Sequence, residues 1–135
     1  MTNVRLLTLL ALTLGLLSFP ARSARCANHH TGDVTLTFVG DIMLDGGPGH
    51  LIGNNGDPFA HTAEILLGSD MTVGNLECAI TRKGHAEDKT YTFKGPQASL
   101  AVLKKYFTVL SLANNHSGDW GTAGFADELQ LLRER

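Results

Sequence analysis

The segment that most constrains this chain is the run Phe107-Thr-Val-Leu-Ser-Leu-Ala113, followed at once by Asn114-Asn-His-Ser-Gly-Asp119. An apolar stretch rich in β-branched and aromatic residues reads as a buried strand, and the change to amide, imidazole, glycine and carboxylate marks its end. Two earlier segments repeat the arrangement. Val34 to Val39 runs into Gly40-Asp41, and Met71-Thr-Val73 runs into Gly74-Asn-Leu-Glu77. In open α/β sheets the ligand crevice lies beyond the carboxyl ends of the strands. If the three strands are parallel neighbours, Asp41, Glu77, Asn115 and His116 converge at one edge of the sheet. Two carboxylates, an amide oxygen and an imidazole suit a divalent metal ion.

The connections favour a parallel sheet. Asp57-Pro58 is a helix start, with a capping carboxylate and a proline at the first helical position, and predicts a helix from Phe59 to Leu67. Phe59, Ala63, Leu66 and Leu67 are then available for one apolar face. Gly68-Ser-Asp70 ends that helix and the second strand follows directly, which favours a right-handed crossover. Pro96 opens a second helix, Gln97 to Tyr106, with Leu100 and Leu103 inward and Lys104-Lys105 at the end where cations complement the dipole. A third helix from Thr122 onward offers Phe125, Leu129 and Leu132 to the sheet. The first strand alternates only weakly, so it is expected to be covered on both faces. Asp45-Gly-Gly-Pro-Gly-His50 and Gly53-Asn-Asn-Gly-Asp57 predict a mobile, glycine-rich rim loop, without the Gly-x-x-x-x-Gly-Lys-Ser/Thr pattern of a nucleotide-binding loop. The charged stretch Ile80 to Lys89 is expected to border the site, with Tyr91-Thr-Phe93 as a short edge strand or hairpin arm. Lys94 and Arg82 are candidates for holding an acidic substrate. The fold class is α/β, mostly parallel strands with flanking helices.

A chain of 135 residues with a net charge of −2 and 43% hydrophobic residues suits one globular domain and excludes a disordered one. No basic excess draws it to nucleic acid. Arg5, the apolar run Leu6 to Leu17, and Ala21, Ser23 and Ala24 after Pro20 form the charged, apolar and small-residue order of a secretory signal peptide, assigned to residues 1–24. The run falls short of the about 20 apolar residues of a membrane-spanning helix. The expected location is periplasmic, cell-envelope or extracellular. Residues 25–33 read as a flexible lead in which His29 and His30 are solvated. Export permits a Cys26–Cys78 disulfide, and free thiols fit the sequence equally. Arg25 argues against a lipid anchor on Cys26.

Together, Gly40-Asp-Ile-Met-Leu44, Asp57-Pro-Phe59, Ser69-Asp70 leading to Gly74-Asn-Leu-Glu77, Phe93 with Pro96, and Ser111-Leu-Ala-Asn-Asn-His116 followed by Asp119 and Gly121 resemble the CapA-type bacterial capsule-synthesis family. That family is associated with poly-γ-glutamate, and its fold is related to the calcineurin-like metallophosphoesterases. The likeness runs from about Thr37 onward. It implies that residues 34–135 are the N-terminal half of a layered metallophosphoesterase-like domain, C-terminally truncated before strands that bring further histidine ligands. It implies Asp41 and Glu77 as metal carboxylates, Asn115 as an amide-oxygen ligand, and His116 as the catalytic group giving a hydrogen bond or proton to a phosphate-like oxygen. Asp119 would orient His116 through its other ring nitrogen. Asn75, Asn114 and Lys94 are the candidates for binding substrate.

The cofactor implied by the resemblance is a divalent ion, whether Mn, Fe, Zn or Mg. The implied partners are an anionic polymer or phosphoester substrate and a membrane-bound capsule synthase complex. Two-metal hydrolases use such ions to activate water and clamp the transition state. The sequence departs from the usual metallophosphoesterase pattern at two places, with Asp41-Ile-Met43 where that pattern has Asp-x-His and Gly74-Asn75 where it has Gly-Asp. The expected function is exported capsule or poly-γ-glutamate synthesis with metal-dependent hydrolysis of a phosphoester or polymer bond, this portion alone being inactive. A non-catalytic polymer-binding or assembly factor, or a fragment without activity, is the alternative.

Overall fold

The computed structural model describes residues 32–134. The signal-peptide reading over residues 1–24, and Cys26, His29 and His30, lie outside the described residues. Three strands, β1 (Leu36–Ile42), β2 (Met71–Leu76) and β3 (Val109–Ser111), form a parallel sheet in the order β1-β2-β3. Helices α1 (Gly46–Gly53) and α2 (Ala63–Leu67) fill the first connection, α3 (Ser99–Tyr106) the second, and α4 (Gly121–Arg133) follows β3. Crossovers of one hand that step in one direction along a sheet deliver their helices to the same face. Accordingly Ile52 of α1, Leu66 of α2, Leu100, Leu103 and Tyr106 of α3, and Leu131 of α4 join Ile42, Leu76 and Ile80 in one core.

On β2 the buried residues are Thr72, Gly74 and Leu76, while Met71, Val73 and Asn75 alternate to the other side. Gly74 is needed because a Cβ there would come within 2.4 Å of Ile42 Cδ1 and 2.9 Å of Val39 Cγ2. The opposite face of the sheet is open among the described residues. Leu36 and Phe38 stand in register with Met71 and Val73, and Val73 with Val109. Leu36, Phe38, Met71 and Val109 are all exposed, Phe38 at 70%. This corrects the expectation that the first strand is covered on both faces. Among the described residues β1 and β3 are the sheet's edge strands, and every described helix adds buried residues to the core behind the sheet.

Other expectations change for identifiable reasons. The segment read as a mobile rim loop contains α1, because Asp45 accepts the Gly46 N–H at 2.6 Å as an N-cap and Ile52 anchors the helix in the core. The helix expected from Phe59 begins only at Ala63. Asp57 still caps the turn locally through the Phe59 N–H at 2.9 Å, but its other oxygen accepts from Lys105 at 2.8 Å and Tyr106 at 2.6 Å and ties this turn to α3. Tyr91-Thr-Phe93 forms no strand; the pairing is a single parallel bridge between Ala79 and Lys94.

On α4 the buried residues are Gly124, Asp127, Glu128 and Leu131, with Phe125, Leu129 and Leu132 only partly buried. The helix turns its acids inward because they meet backbone donors. Glu128 accepts the Ile80 N–H at 2.8 Å, and Asp127 accepts the Arg82 N–H at 2.7 Å. Among the described residues Cys78 is a free, buried thiol whose Sγ accepts the Leu44 N–H at 3.3 Å.

Candidate functional site

A β-bulge positions the first carboxylate. Phe38 pairs with Val73, but Asp41 pairs with Asn75, so β1 carries one extra residue between these points. A one-residue slip moves the following side chains to the opposite face. Asp41 therefore shares the face of Asn75 instead of pointing away from it. Asn75 Nδ2 donates to Asp41 Oδ1 at 2.8 Å and to Glu77 Oε1 at 2.6 Å.

The third strand end joins through Asn114. Its Oδ1 accepts the backbone N–H groups of His116 at 2.9 Å and Ser117 at 3.0 Å, while its Nδ2 donates to Leu76 O and Asn75 Oδ1, each at 2.9 Å. These partners determine both amide orientations. Two backbone donors hold the Asn114 oxygen, so its NH2 group must face the Leu76 carbonyl and the Asn75 oxygen. That leaves the Asn75 NH2 group facing the two carboxylates.

His116 is oriented from behind. Its Nδ1 lies 2.9 Å from Asp119 Oδ2, and the same oxygen accepts the Phe93 N–H at 2.6 Å. Asp119 has no solvent exposure, and its Oδ1 is ion-paired with Lys89. Burial pulls the Asp119 carboxyl upward, but hydrogen bonds from Lys89, His116 and the Phe93 N–H outweigh it and hold the group below its ordinary value. An acceptor at Nδ1 places the imidazole proton there and leaves the lone pair on Nε2. That nitrogen stands 3.9 Å from Glu77 Oε2. A lone pair facing a carboxylate is complementary to a proton or a cation between them. The Phe93 ring covers one side of the imidazole, with centroids 4.5 Å apart.

Asp41, Asn75, Glu77, Asn114, His116 and Asp119 thus form one connected network at the strand ends. Asn115 is exposed, and its contact is a backbone one, its carbonyl accepting from Lys89 at 3.0 Å. Lys94 stands apart from the network. Its ammonium lies 3.8 Å from the Trp120 ring centroid, and its N–H donates to Asp45 at 3.0 Å. Beside it, His50, Arg82 and Gln97 line an open hollow of about 540 Å³. Lys89 belongs to the site but carries no local signal in the sequence, since a lysine in a charged run reads as solvated, and Phe93, though part of the family resemblance, is given no site role by it. Among the described residues no group of three or more His, Cys, Asp or Glu side chains is gathered as a metal-holding set. The donor chemistry nevertheless suits a divalent ion, with carboxylate oxygens on adjacent strands and an imidazole whose other nitrogen is held by a buried acid.

A parallel α/β sheet with this arrangement at its strand ends falls in the metallophosphoesterase-like class. The chain belongs to the family described as bacterial capsule synthesis protein PGA_cap, whose model matches residues 35–135. It is 32% identical over 108 residues to the "Capsule biosynthesis protein CapA" of Bacillus anthracis, covering 75% of this chain and 26% of that protein. It is 35% identical over 101 residues to the "PGA biosynthesis protein CapA" of Bacillus subtilis (strain 168), covering 71% of this chain and 27% of the relative. An uncharacterized protein of Sinorhizobium fredii, y4sH, is 28% identical over 108 residues, 74% of this chain and 23% of its own length. The chain spans about a quarter of the length of the curated relatives it matches.

Proposed function

We propose that this chain is part of an exported, metal-dependent hydrolase domain that acts in capsule or poly-γ-glutamate synthesis on a phosphoester or polymer bond. The observation that carries the reading is the imidazole Nε2 of His116 facing Glu77, its Nδ1 held by Asp119, with Asp41 bridged to Glu77 through Asn75. Asp41 and Glu77 would hold the ion, with an amide oxygen from Asn115 completing the set. Bound there, a divalent ion would supply Lewis-acid charge for a developing oxyanion. The chain's own groups do the rest. Nε2 of His116 accepts or delivers a proton, Asp119 keeps the ring oriented, and Asn75 and Asn114 hold the strand ends in register. Lys94, with Arg82 and His50 around the neighbouring hollow, provides cationic ground for an anionic polymer. The names of the Bacillus relatives support the role in capsule synthesis, and the charged, apolar and small-residue order of residues 1–24 supports export; a membrane-bound synthase would be the partner there.

The test is calorimetric titration of the full chain with Mn²⁺ and with Zn²⁺. One site is expected, weakened at least tenfold, about 1.4 kcal/mol, by Asp41→Asn and by Glu77→Gln. No binding of either ion, or binding indifferent to both substitutions, would sink the metal reading. One observation favours a second reading, a non-catalytic polymer-binding or assembly cleft. The Asn75 NH2 group already satisfies both carboxylates with N–H donors. Under that reading, poly-γ-glutamate binding persists in the absence of metal and in both variants.

A further inference from the structure

We infer that Lys89 is a positioning residue for His116, holding Asp119 so that the imidazole keeps its proton on Nδ1 and presents Nε2 to Glu77. The inference rests on the reading of His116 as the functional imidazole of the site and names the residue that decides which of its nitrogens is free.

Lys89 lies in a stretch, residues 85–91, that is exposed at every position. Its side chain nonetheless turns inward, meeting Asp119 Oδ1 and, at 3.0 Å, the carbonyl of Asn115. These partners lie on either side of His116 in the chain, so one ammonium spans the turn that carries the imidazole. The surrounding loop is held to the same turn at further points. The Glu87 N–H donates to Asp119 O at 2.9 Å, and the Phe93 N–H to Asp119 Oδ2 at 2.6 Å. Gly84, at φ +79°, passes so close that a Cβ would lie 1.9 Å from Trp120 O. Such an approach admits only glycine.

The two oxygens of Asp119 therefore have separate duties. Oδ1 faces the ammonium, and Oδ2 faces the Phe93 N–H and the imidazole. With Oδ1 engaged the carboxylate cannot rotate, and Oδ2 stays an acceptor aimed at Nδ1. A solvated neutral imidazole favours the Nε2–H form, so the Nδ1–H form has to be imposed. Without Lys89, Oδ1 would be a buried oxygen with no donor, an arrangement proteins avoid by turning the group or changing its partners. The ring would then revert toward Nε2–H, which places a hydrogen where the site needs a lone pair.

The test is long-range ¹H–¹⁵N correlation NMR of the full chain without added metal, at a pH where the ring is neutral, with His116 assigned by His116→Gln. The wild type is expected to show the Nδ1–H tautomer, Lys89→Met a spectrum shifted to mainly Nε2–H, and Lys89→Arg a return to the wild-type pattern. A wild-type ring in the Nε2–H form, or a Lys89→Met ring identical to wild type, overturns the inference. If Lys89→Met fails to fold, Lys89→Ala, which likewise removes the donor, supplies the same comparison. Because no metal is present, this result stands or falls separately from the metal titration.

Discussion

Cys78 and the two neighbouring acids of α4 show how much of a side chain's chemistry is assigned by its surroundings. Burial pushes the Cys78 thiol up to about 11. Native protein is therefore expected to react with a disulfide reagent such as DTNB many times more slowly than protein unfolded in urea; fast reaction of the native chain would contradict this packing. Asp127 and Glu128 are adjacent yet move in opposite directions. The backbone and side-chain hydrogen bonds of Arg82 hold Asp127 down at about 2, whereas desolvation lifts Glu128 to about 7. Asp127's contribution to stability is present above its unfolded value of 3.8 and is lost as pH falls through about 2. Glu128 acts in the other sense. Its contribution is complete below its unfolded value of 4.5 and is lost as pH rises through about 7. Urea denaturation between pH 4.5 and 8 should show wild-type stability declining with pH, and Glu128→Gln should flatten that decline. An unchanged slope would mean that Glu128 does not titrate in this window.

Among the elements, short helices are held by side-chain ties more than by their own hydrogen bonds. α2 has five residues, too few to stand alone. Asp57, ahead of it, binds Lys105 and Tyr106 at the end of α3, and the Phe59 ring packs edge-on against Tyr106 and Phe107 at centroid distances of 5.5 and 5.3 Å. Asp57→Ala removes a cap and the tie to α3 together, and an expected loss of about 1–2 kcal/mol is measurable by chemical denaturation. A loss below about 0.3 kcal/mol would show that the ring packing alone holds the turn. Leu103, with 1% exposure in α3, marks the other extreme. Leu103→Ala should cost about 2–5 kcal/mol and leave little folded protein at 37 °C by circular dichroism.

For the whole molecule the decisive feature is the asymmetry of the sheet. One face carries the core, and the other presents Leu36, Phe38, Met71 and Val109. A contiguous apolar patch of this kind marks an interface or an aggregation hazard, and the edge strand β1 beside it adds unpaired backbone groups. The described domain is expected to enhance the fluorescence of ANS and to self-associate with rising concentration. Phe38→Thr should reduce both with stability changed by less than about 0.5 kcal/mol, because Phe38 is mostly in solvent already. A wild type that is monomeric at high concentration by light scattering and free of ANS binding would overturn the reading of this face as an association surface.

The sequence by itself determined the α/β class, the parallel sense of the strands and the clustering of polar residues at their ends, because period, punctuation and short crossovers are local signals. Leu100 and Leu103 were readable as core for the same reason. Helix α1 was not, since its glycines argue against a helix and only the Asp45 cap and the burial of Ile52 reverse that preference. The inward acids of α4 were equally hidden, because their partners are backbone N–H groups of a loop distant in the chain. At the site, Asp41 and Asn75 could be named from their places after the strands, but whether they share a face depended on a bulge that no residue type announces. Lys89 reached Asp119 only once the loop had folded back. Tertiary structure decided these points because hydrogen-bond partners and exposed faces are set by which segments meet, and a sequence pattern records only what lies within one segment.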